Sequence, residues 1–340
     1  MRSEVNAPAR VPELDAVRGF ALCGILVVDI WQSTGMSATA APGVMDPTRH
    51  ILSVLVEGRF FPIVSFLFGI GFALMLERAA DRTDRPRLVL VRRLAALGVL
   101  GLIHQQFQPG EALLPYAVVG LMILLPAAGL SRWTLLILGL IGTVGVAVAL
   151  GGGLGLAPGL FLLGLASARF GIPATLRERT WQITFVFAVA APVAVAAALW
   201  EYHVPYLDLL ASSAPALAGL AGALAYLTGL LLLLRTRAGA SVTEMLAPMG
   251  RMALTNYVAA TGLILVAGAR LGLPGSTDYG VVPLLAGSIV VLQMVVSLLW
   301  LRWFRYGPLE WMVRCVTWWQ LVPLRAGAEP SLPLGLPRRL

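Results

Sequence analysis

The chain contains ten apolar runs, and most of them reach the length that an α-helix needs to cross a membrane, roughly 17 to 25 residues. Only 12% of its residues are charged, whereas a soluble domain carries about 25%. Backbone polar groups in lipid must be satisfied within each segment, so the pattern predicts an all-α polytopic transmembrane bundle of about ten spans. The runs cover residues 14–33, 60–77, 88–106, 112–129, 133–152, 156–170, 182–200, 212–234, 250–268 and 281–303.

The arginines predict the orientation of this bundle. The chain has no lysine, and with a cytoplasmic N-terminus 22 of its 25 arginines fall on the cytoplasmic side. The exceptions are Arg49, Arg59 and Arg270. A missed or invented span would invert every later loop, so the positive-inside bias supports ten spans with both termini in the cytoplasm.

The whole chain, 1–340, reads as a single membrane-embedded domain in the cell membrane. Residues 1–13 form a cytoplasmic N-terminal segment and residues 14–303 the ten-span bundle. Residues 304–340 contain an amphipathic helix that begins at Pro308, lies on the cytoplasmic leaflet and is followed by a tail. Within the bundle, Pro62, Gly69 and Gly71 predict a closely packed second span.

Charge and cysteine content exclude some partners. A net charge of +8 would suggest nucleic acid for a soluble protein, but these arginines lie in short loops beside anionic headgroups, so membrane lipids are expected and nucleic acid is not. Cys23 lies within the first span and Cys315 near the tail, so neither a disulfide nor a metal site is expected. The sequence does not indicate the oligomeric state.

Several blocks in order along the chain carry a family resemblance. They are 14–30 (LDAVRGFALCGILVVDI), 66–71 (FLFGIG), 101–104 (GLIH), 110–117 (GEALLPYA), 250–257 (GRMALTNY) and 304–311 (FRYGPLEW). Together they resemble the YeiB-like family of bacterial membrane proteins, which has often been labelled as transport. The opening block is also similar to that of membrane acyltransferases, which move acyl groups from cytoplasmic acyl-CoA onto acceptors across the membrane.

The resemblance implies acyl-CoA as a co-substrate and a small-molecule or cell-envelope acceptor at the extracytoplasmic side. The chain departs from the family pattern at three places. Asp29 stands where relatives usually have Asn, Glu111 stands where they usually have Asp, and the connection at residues 151–153 is unusually short. The short connection implies a smaller or different acceptor.

His104 is the leading candidate for a catalytic base because imidazole titrates near neutral pH and an ionisable group within a span needs a partner or cavity. Glu111 follows across a short turn and could orient the ring as the third group of a triad does. Asp29 lies at a similar depth and could orient the same ring or accept a proton. The alternatives are helix-packing hydrogen bonds for His104 and a water-facing carboxylate for Asp29. His50 is a second choice in a solvated loop, and His203 a third.

Four arginines and one amide complete the candidate site. Arg18, Arg92, Arg93 and Arg251 could bind the phosphates of CoA, since guanidinium grips phosphate bidentately, although lipid contacts and an Asp15–Arg18 ion pair are the simpler reading. Asn256 could position the thioester carbonyl or could hold helices together.

Three functions fit these residues. A membrane acyltransferase with Asp29, His104 and Glu111 as catalytic groups is favoured, because polar residues concentrated on one side suit a reaction centre. A small-molecule transporter would use the same buried groups as a path. A scaffold for cell-envelope assembly would need neither a reaction centre nor a transport path.

Overall fold

The computed structural model describes residues 11–41, 44–209 and 211–325. The predicted cytoplasmic residues Arg2, Arg10, Arg338 and Arg339 lie outside this part of the chain. Nearly all regular structure is helical. The helices are α1 (Pro12–Thr34), α2 (Pro47–Val56), α3 (Phe60–Ala80), α4 (Pro86–His104), α5 (Leu113–Val119), α6 (Leu125–Ala127), α7 (Arg132–Leu150), α8 (Ala157–Arg169), α9 (Thr180–His203), α10 (Ala214–Leu233), α11 (Arg237–Arg251), α12 (Ala253–Arg270), α13 (Val281–Trp303) and α14 (Pro308–Trp318).

Short elements complete the chain. A π-helical turn at Gly120–Leu124 joins α5 to α6, so the two form one continuous rod. Strands β1 (Thr39–Ala41) and β2 (Val44–Met45) pair antiparallel between α1 and α2. Single 3₁₀ turns lie at Gly153–Leu156, Leu176–Glu178 and Tyr206–Asp208.

Within the part of the chain that the structure describes, six helical segments are long and apolar enough to cross a membrane: Pro47–Ala80, Arg132–Ala149, Thr180–His203, Ala214–Leu233, Ala253–Arg270 and Val281–Trp303. The prediction of ten such spans is therefore corrected to six. The rods at Leu113–Ala127 and Gly153–Arg169 are shorter than 18 residues. Predicted spans 14–33 and 88–106 form α1 and α4, which carry charged side chains along their lengths, among them Asp29 and Arg93.

α1 packs at the centre of the bundle. Along its length it contacts α3, α11, α12 and α13. Its fully buried residues Ala16, Val17 and Ala21 join one apolar core with α3, α10 and α11, and its far end joins a second core with α12 and α13 through Ile30 and Trp31. A third core forms between α3, α4, α5 and α8. Burial by other helices allows α1 to carry charge without facing lipid.

Glycines set two close helix crossings. A Cβ on Gly250 of α11 would lie 1.8 Å from the backbone oxygen of Asp15 on α1. A Cβ on Gly69 of α3 would lie 2.1 Å from the oxygen of Phe161 on α8, and one on Gly164 would lie 2.1 Å from the oxygen of Phe66. Only residues without side chains let the two backbones approach this far.

α14 begins at Pro308, the residue predicted to open it. Its buried face, with Val313 and Thr317, packs against α4 and α12. Trp318 lies 5.2 Å beneath the guanidinium of Arg82. The helix thus closes over one end of the bundle.

Candidate functional site

One large cavity of about 1750 Å³ follows a single face of α1. Arg18, Leu22, Ile25, Asp29 and Gln32 line it in succession. These positions are three or four residues apart and therefore lie on one side of the helix. The cavity thus runs from the charged beginning of α1 through an apolar middle to a polar end.

The end of the cavity at the start of α1 is rich in arginine. We call it the basic mouth and define it by the lining residues Arg18, Arg78, Arg93, Arg251 and Arg314. The side chains of Arg78 and Arg93 are exposed. Carboxylates of Glu13, Asp15 and Glu310 line the same end, so part of this positive charge is balanced.

Contacts within the mouth hold several of these groups in place. Arg18 Nη1 donates to Asp15 Oδ1 at 2.9 Å, which is the ion pair that the spacing predicts. Glu310 accepts hydrogen bonds from the backbone N–H groups of Leu254 and Thr255 and from the Thr255 hydroxyl. Glu310 therefore caps the N-terminus of α12, where a negative charge is favourable. This capping role could not be predicted from the sequence, because 56 residues separate Glu310 from Leu254.

Two of the predicted ligand-binding residues lie away from the cavity lining. The guanidinium of Arg92 stacks over Trp319 at 5.5 Å. Asn256 is buried and donates from Nδ2 to the Met249 carbonyl at 3.1 Å and to Ser297 Oγ at 3.0 Å. These contacts match the helix-packing alternative for Asn256.

Asp29 lies at the other end of the cavity. It is only 4% exposed, and it lines the cavity wall. Gln108 Nε2 donates to Asp29 Oδ1 at 2.8 Å, and Gln108 in turn accepts a hydrogen bond from Ser33 Oγ. Gln108 is fully buried. A neutral amide therefore holds the carboxylate, and the sequence offered no clear pointer to it beyond the polar turn that follows α4.

His104 is the last residue of α4 and is 3% exposed. Its Nε2 lies 2.9 Å from Thr261 Oγ1, and its ring packs edge-on against Tyr257 with 4.9 Å between centroids. Tyr257 lines the cavity, whereas His104 does not. The imidazole therefore lies one layer behind the cavity wall.

Glu111 lies beside His104 without a hydrogen bond to it. Glu111 Oε1 is 3.8 Å from His104 Nδ1, which has no hydrogen-bond partner among the described residues. Glu111 instead accepts hydrogen bonds from the backbone N–H groups of Leu113 and Leu114. The predicted pair is thus adjacent, but the carboxylate is engaged in capping α5.

Further charges surround the cavity beyond Asp29. We call this region the acidic end and define it by the lining carboxylates Asp29, Glu57 and Glu201. Glu201 pairs with Arg59, and both side chains are buried. Glu57 accepts a hydrogen bond from Arg49 at 2.7 Å, and Arg49 lies 4.3 Å over the Trp31 ring.

The other two histidines do not line the cavity. The ring of His50 stacks on Tyr202 with 4.5 Å between centroids. His203 Nδ1 lies 2.7 Å from the carbonyl oxygen of Leu199 in the preceding turn. The first contact joins α2 to α9 and the second lies within α9, so neither ring is placed to act in the cavity.

Fold and cavity together indicate a predominantly helical membrane protein with a long cavity beside its first helix. A family model described as Protein of unknown function (DUF418) matches residues 167–320. The chain is 33% identical over 339 residues to an uncharacterized 39.9 kDa protein in the amylase 3′ region of Bacillus acidopullulyticus, covering 93% of this chain and 96% of the relative. The chain belongs to the YeiB-like family, and the resemblance seen in the sequence blocks is confirmed.

Two further relatives extend this result. The uncharacterized protein YxaH of Bacillus subtilis is 27% identical over 398 residues, covering 92% of this chain and 95% of the relative. The uncharacterized protein YeiB of Escherichia coli is 27% identical over 395 residues, covering 94% and 97%. In each comparison the similarity covers nearly the full length of this chain and of the relative, which indicates a shared architecture.

Proposed function

We propose that the protein is a membrane acyltransferase of the cell membrane, which takes an acyl group from acyl-CoA at the basic mouth and passes it to an acceptor near Asp29. The observation that carries this proposal is the continuity of the cavity along one face of α1. Arginines suit the phosphates of CoA, and the middle is the stretch that the arm of CoA crosses to bring the thioester to Asp29. The two charged ends then hold the two substrates.

Within this proposal Asp29 is the group that meets the acceptor. It lines the cavity, while Tyr257 lies between the cavity and His104. We assign to His104 the positioning of Tyr257 and Thr261, and to Glu111 the capping of α5 beside them. Arg18, Arg93 and Arg251 bind the donor.

Filling the middle of the cavity tests the proposal. Leu22→Trp places an indole between the two ends, and we expect it to lower acyl transfer about 100-fold, since small displacements of reacting groups have effects of this size. The assay follows release of radiolabelled acyl groups from acyl-CoA by purified protein. Val144→Trp on the exposed face of α7 is the matched control and should transfer normally. Equal turnover by both variants would refute the cavity as the acyl path.

Transport of a small molecule is the second candidate, because the same cavity reaches both charged ends of α1. A transporter would move solute through proteoliposomes with no acyl-CoA present. Leu22→Trp would block that flux too, so the dependence on acyl-CoA separates the two functions.

We also propose that α1, α4, α5–α6 and α8 cross the membrane although they are not among the six apolar segments, because the sidedness on which both functions depend requires it. Leu207 is 75% exposed in the loop before α10, and Asp84 is exposed in the loop before α4. In a Cys23→Ala, Cys315→Ala background, Leu207→Cys should react with an impermeant maleimide in intact cells. Asp84→Cys should react only after the membrane is opened. Reversed labelling would place the basic mouth outside and refute the scheme.

A further inference from the structure

We infer that the acceptor is a primary amine, which binds as its ammonium ion against Asp29 at the acidic end. The inference deepens the proposed function and rests on it for the transfer step, while the binding step stands by itself. Its basis is the carboxyl group at this end that has no cationic partner once the ion pairs are formed.

The carboxylates of the acidic end differ in their partners. Glu201 is paired with Arg59, and Glu57 with Arg49. Asp29 has no cationic partner among the described residues; its one hydrogen bond there comes from the neutral amide of Gln108. Among the described residues, Asp29 is therefore the carboxyl group of this end that lacks a cationic partner, and its side chain lines the cavity.

A cation is the ligand that such a group binds best. A carboxylate buried to this extent is unfavourable unless it is paired. An ammonium ion supplies both a positive charge and several N–H donors, whereas a hydroxyl supplies one neutral donor. Hydrogen bonds between charged groups are roughly twice as strong as neutral ones. Gln108 holds Oδ1, which leaves the rest of the carboxylate for the ligand.

The opposite end of the cavity has the complementary charge. Six lining arginines there, the basic mouth and Arg177, face the carboxylates of Glu13, Asp15 and Glu310. This excess of positive charge repels an ammonium ion and attracts an anionic donor. An amine acceptor and a phosphate-bearing donor are therefore sorted to different ends of one cavity.

The chemistry balances with Asp29 as the proton acceptor. The Asp29 carboxylate takes one proton from the ammonium, which leaves a neutral amine with a free electron pair. The amine nitrogen forms a C–N bond to the thioester carbonyl carbon, and the C–S bond breaks. The nitrogen loses a second proton, and the departing thiolate takes up one proton to become the free thiol. The products are an amide, CoA and one proton.

The test compares benzylammonium with benzyl alcohol, which have similar shapes but different charges. Calorimetric titration of the purified full-length protein without acyl-CoA measures binding alone. We expect benzylammonium to bind more tightly, and Asp29→Asn to weaken it at least about tenfold, which corresponds to one charge-assisted hydrogen bond. Benzyl alcohol should bind equally to wild type and Asp29→Asn. Because Asn is isosteric, Gln108 can still donate to it.

Asp84→Asn is the matched control, since it makes the same change at an exposed loop position that does not line the cavity. It should leave the preference for benzylammonium in place. Equal binding of the amine and the alcohol, or unchanged amine binding in Asp29→Asn, overturns the inference. Transfer from acyl-CoA is then measured with both acceptors. Turnover with the alcohol alone also overturns it, whereas amine binding that depends on Asp29 without any turnover supports the amine site and overturns the acyltransferase.

Discussion

Replacing Arg59 with methionine is expected to lower the free energy of unfolding by about 3–5 kcal/mol, because it leaves the buried carboxylate of Glu201 without its cation. Arg59 is 2% exposed and Glu201 6% exposed. Arg59 Nη1 also donates to the Glu57 carbonyl at 2.6 Å. This pair joins α9 to the residue that precedes α3, so its loss affects the wall of the acidic end as well.

Unfolding in mixed micelles of increasing denaturing-detergent content measures this loss, and two further variants sharpen it. Arg59→Met with Glu201→Leu should recover most of the stability, since replacing both members of a buried ion pair by apolar residues is often neutral. Arg49→Met should cost less than Arg59→Met, because its partner Glu57 keeps 40% of its side chain exposed and can reach water. A double variant no more stable than Arg59→Met alone would show that the pair is not the source of the loss.

The positions of the long apolar helices could be predicted from the sequence with good accuracy, whereas α2 and α11 were not predicted. The run 281–303 coincides with α13, and the run 14–33 differs from α1 by two residues at its start and one at its end. The number of spans could not be predicted, because a run of apolar residues shows the length and composition of a helix but not what surrounds it. α1 and α4 are predicted at the right places, yet the charges that they carry depend on burial by other helices.

The sequence indicated where along each helix the candidate residues lie, but not which side of the helix each of them faces. Asp29 and Arg18 lie on the face of α1 that lines the cavity, while Arg92 turns toward Trp319 and its neighbour Arg93 enters the basic mouth. Residues at i and i+1 point about 100° apart on a helix. Which of them reaches a cavity follows from packing between helices that are distant in sequence. Gln108 was missed for the same reason, since only the fold brings its amide to Asp29 across 79 residues.

The sequence predicted close packing for α3, through Gly69, but not for its partner α8. Gly164 of α8 belongs to the shortest of the ten apolar runs, 156–170, for which no close packing was predicted. The two glycines face each other, with a Cα 3.0 Å from the site of either missing Cβ. α3 supplies Phe61, Val64 and Phe68 to the cavity wall. The contact with α8 therefore helps to hold the helix that forms this part of the cavity wall.

Gly69→Val is expected to lower the free energy of unfolding by at least about 3 kcal/mol, at the upper end for overpacked sites, because backbone atoms cannot move aside as a side chain can. Gly145→Val is the matched control. It makes the same change within α7, where a Cβ would meet nothing within 4 Å, so the helix propensity of valine affects both variants alike. Denaturing-detergent titration compares them. If Gly69→Val retained the stability of Gly145→Val, α3 and α8 could not be packed backbone against backbone, and the cavity wall that depends on this crossing would have to lie elsewhere.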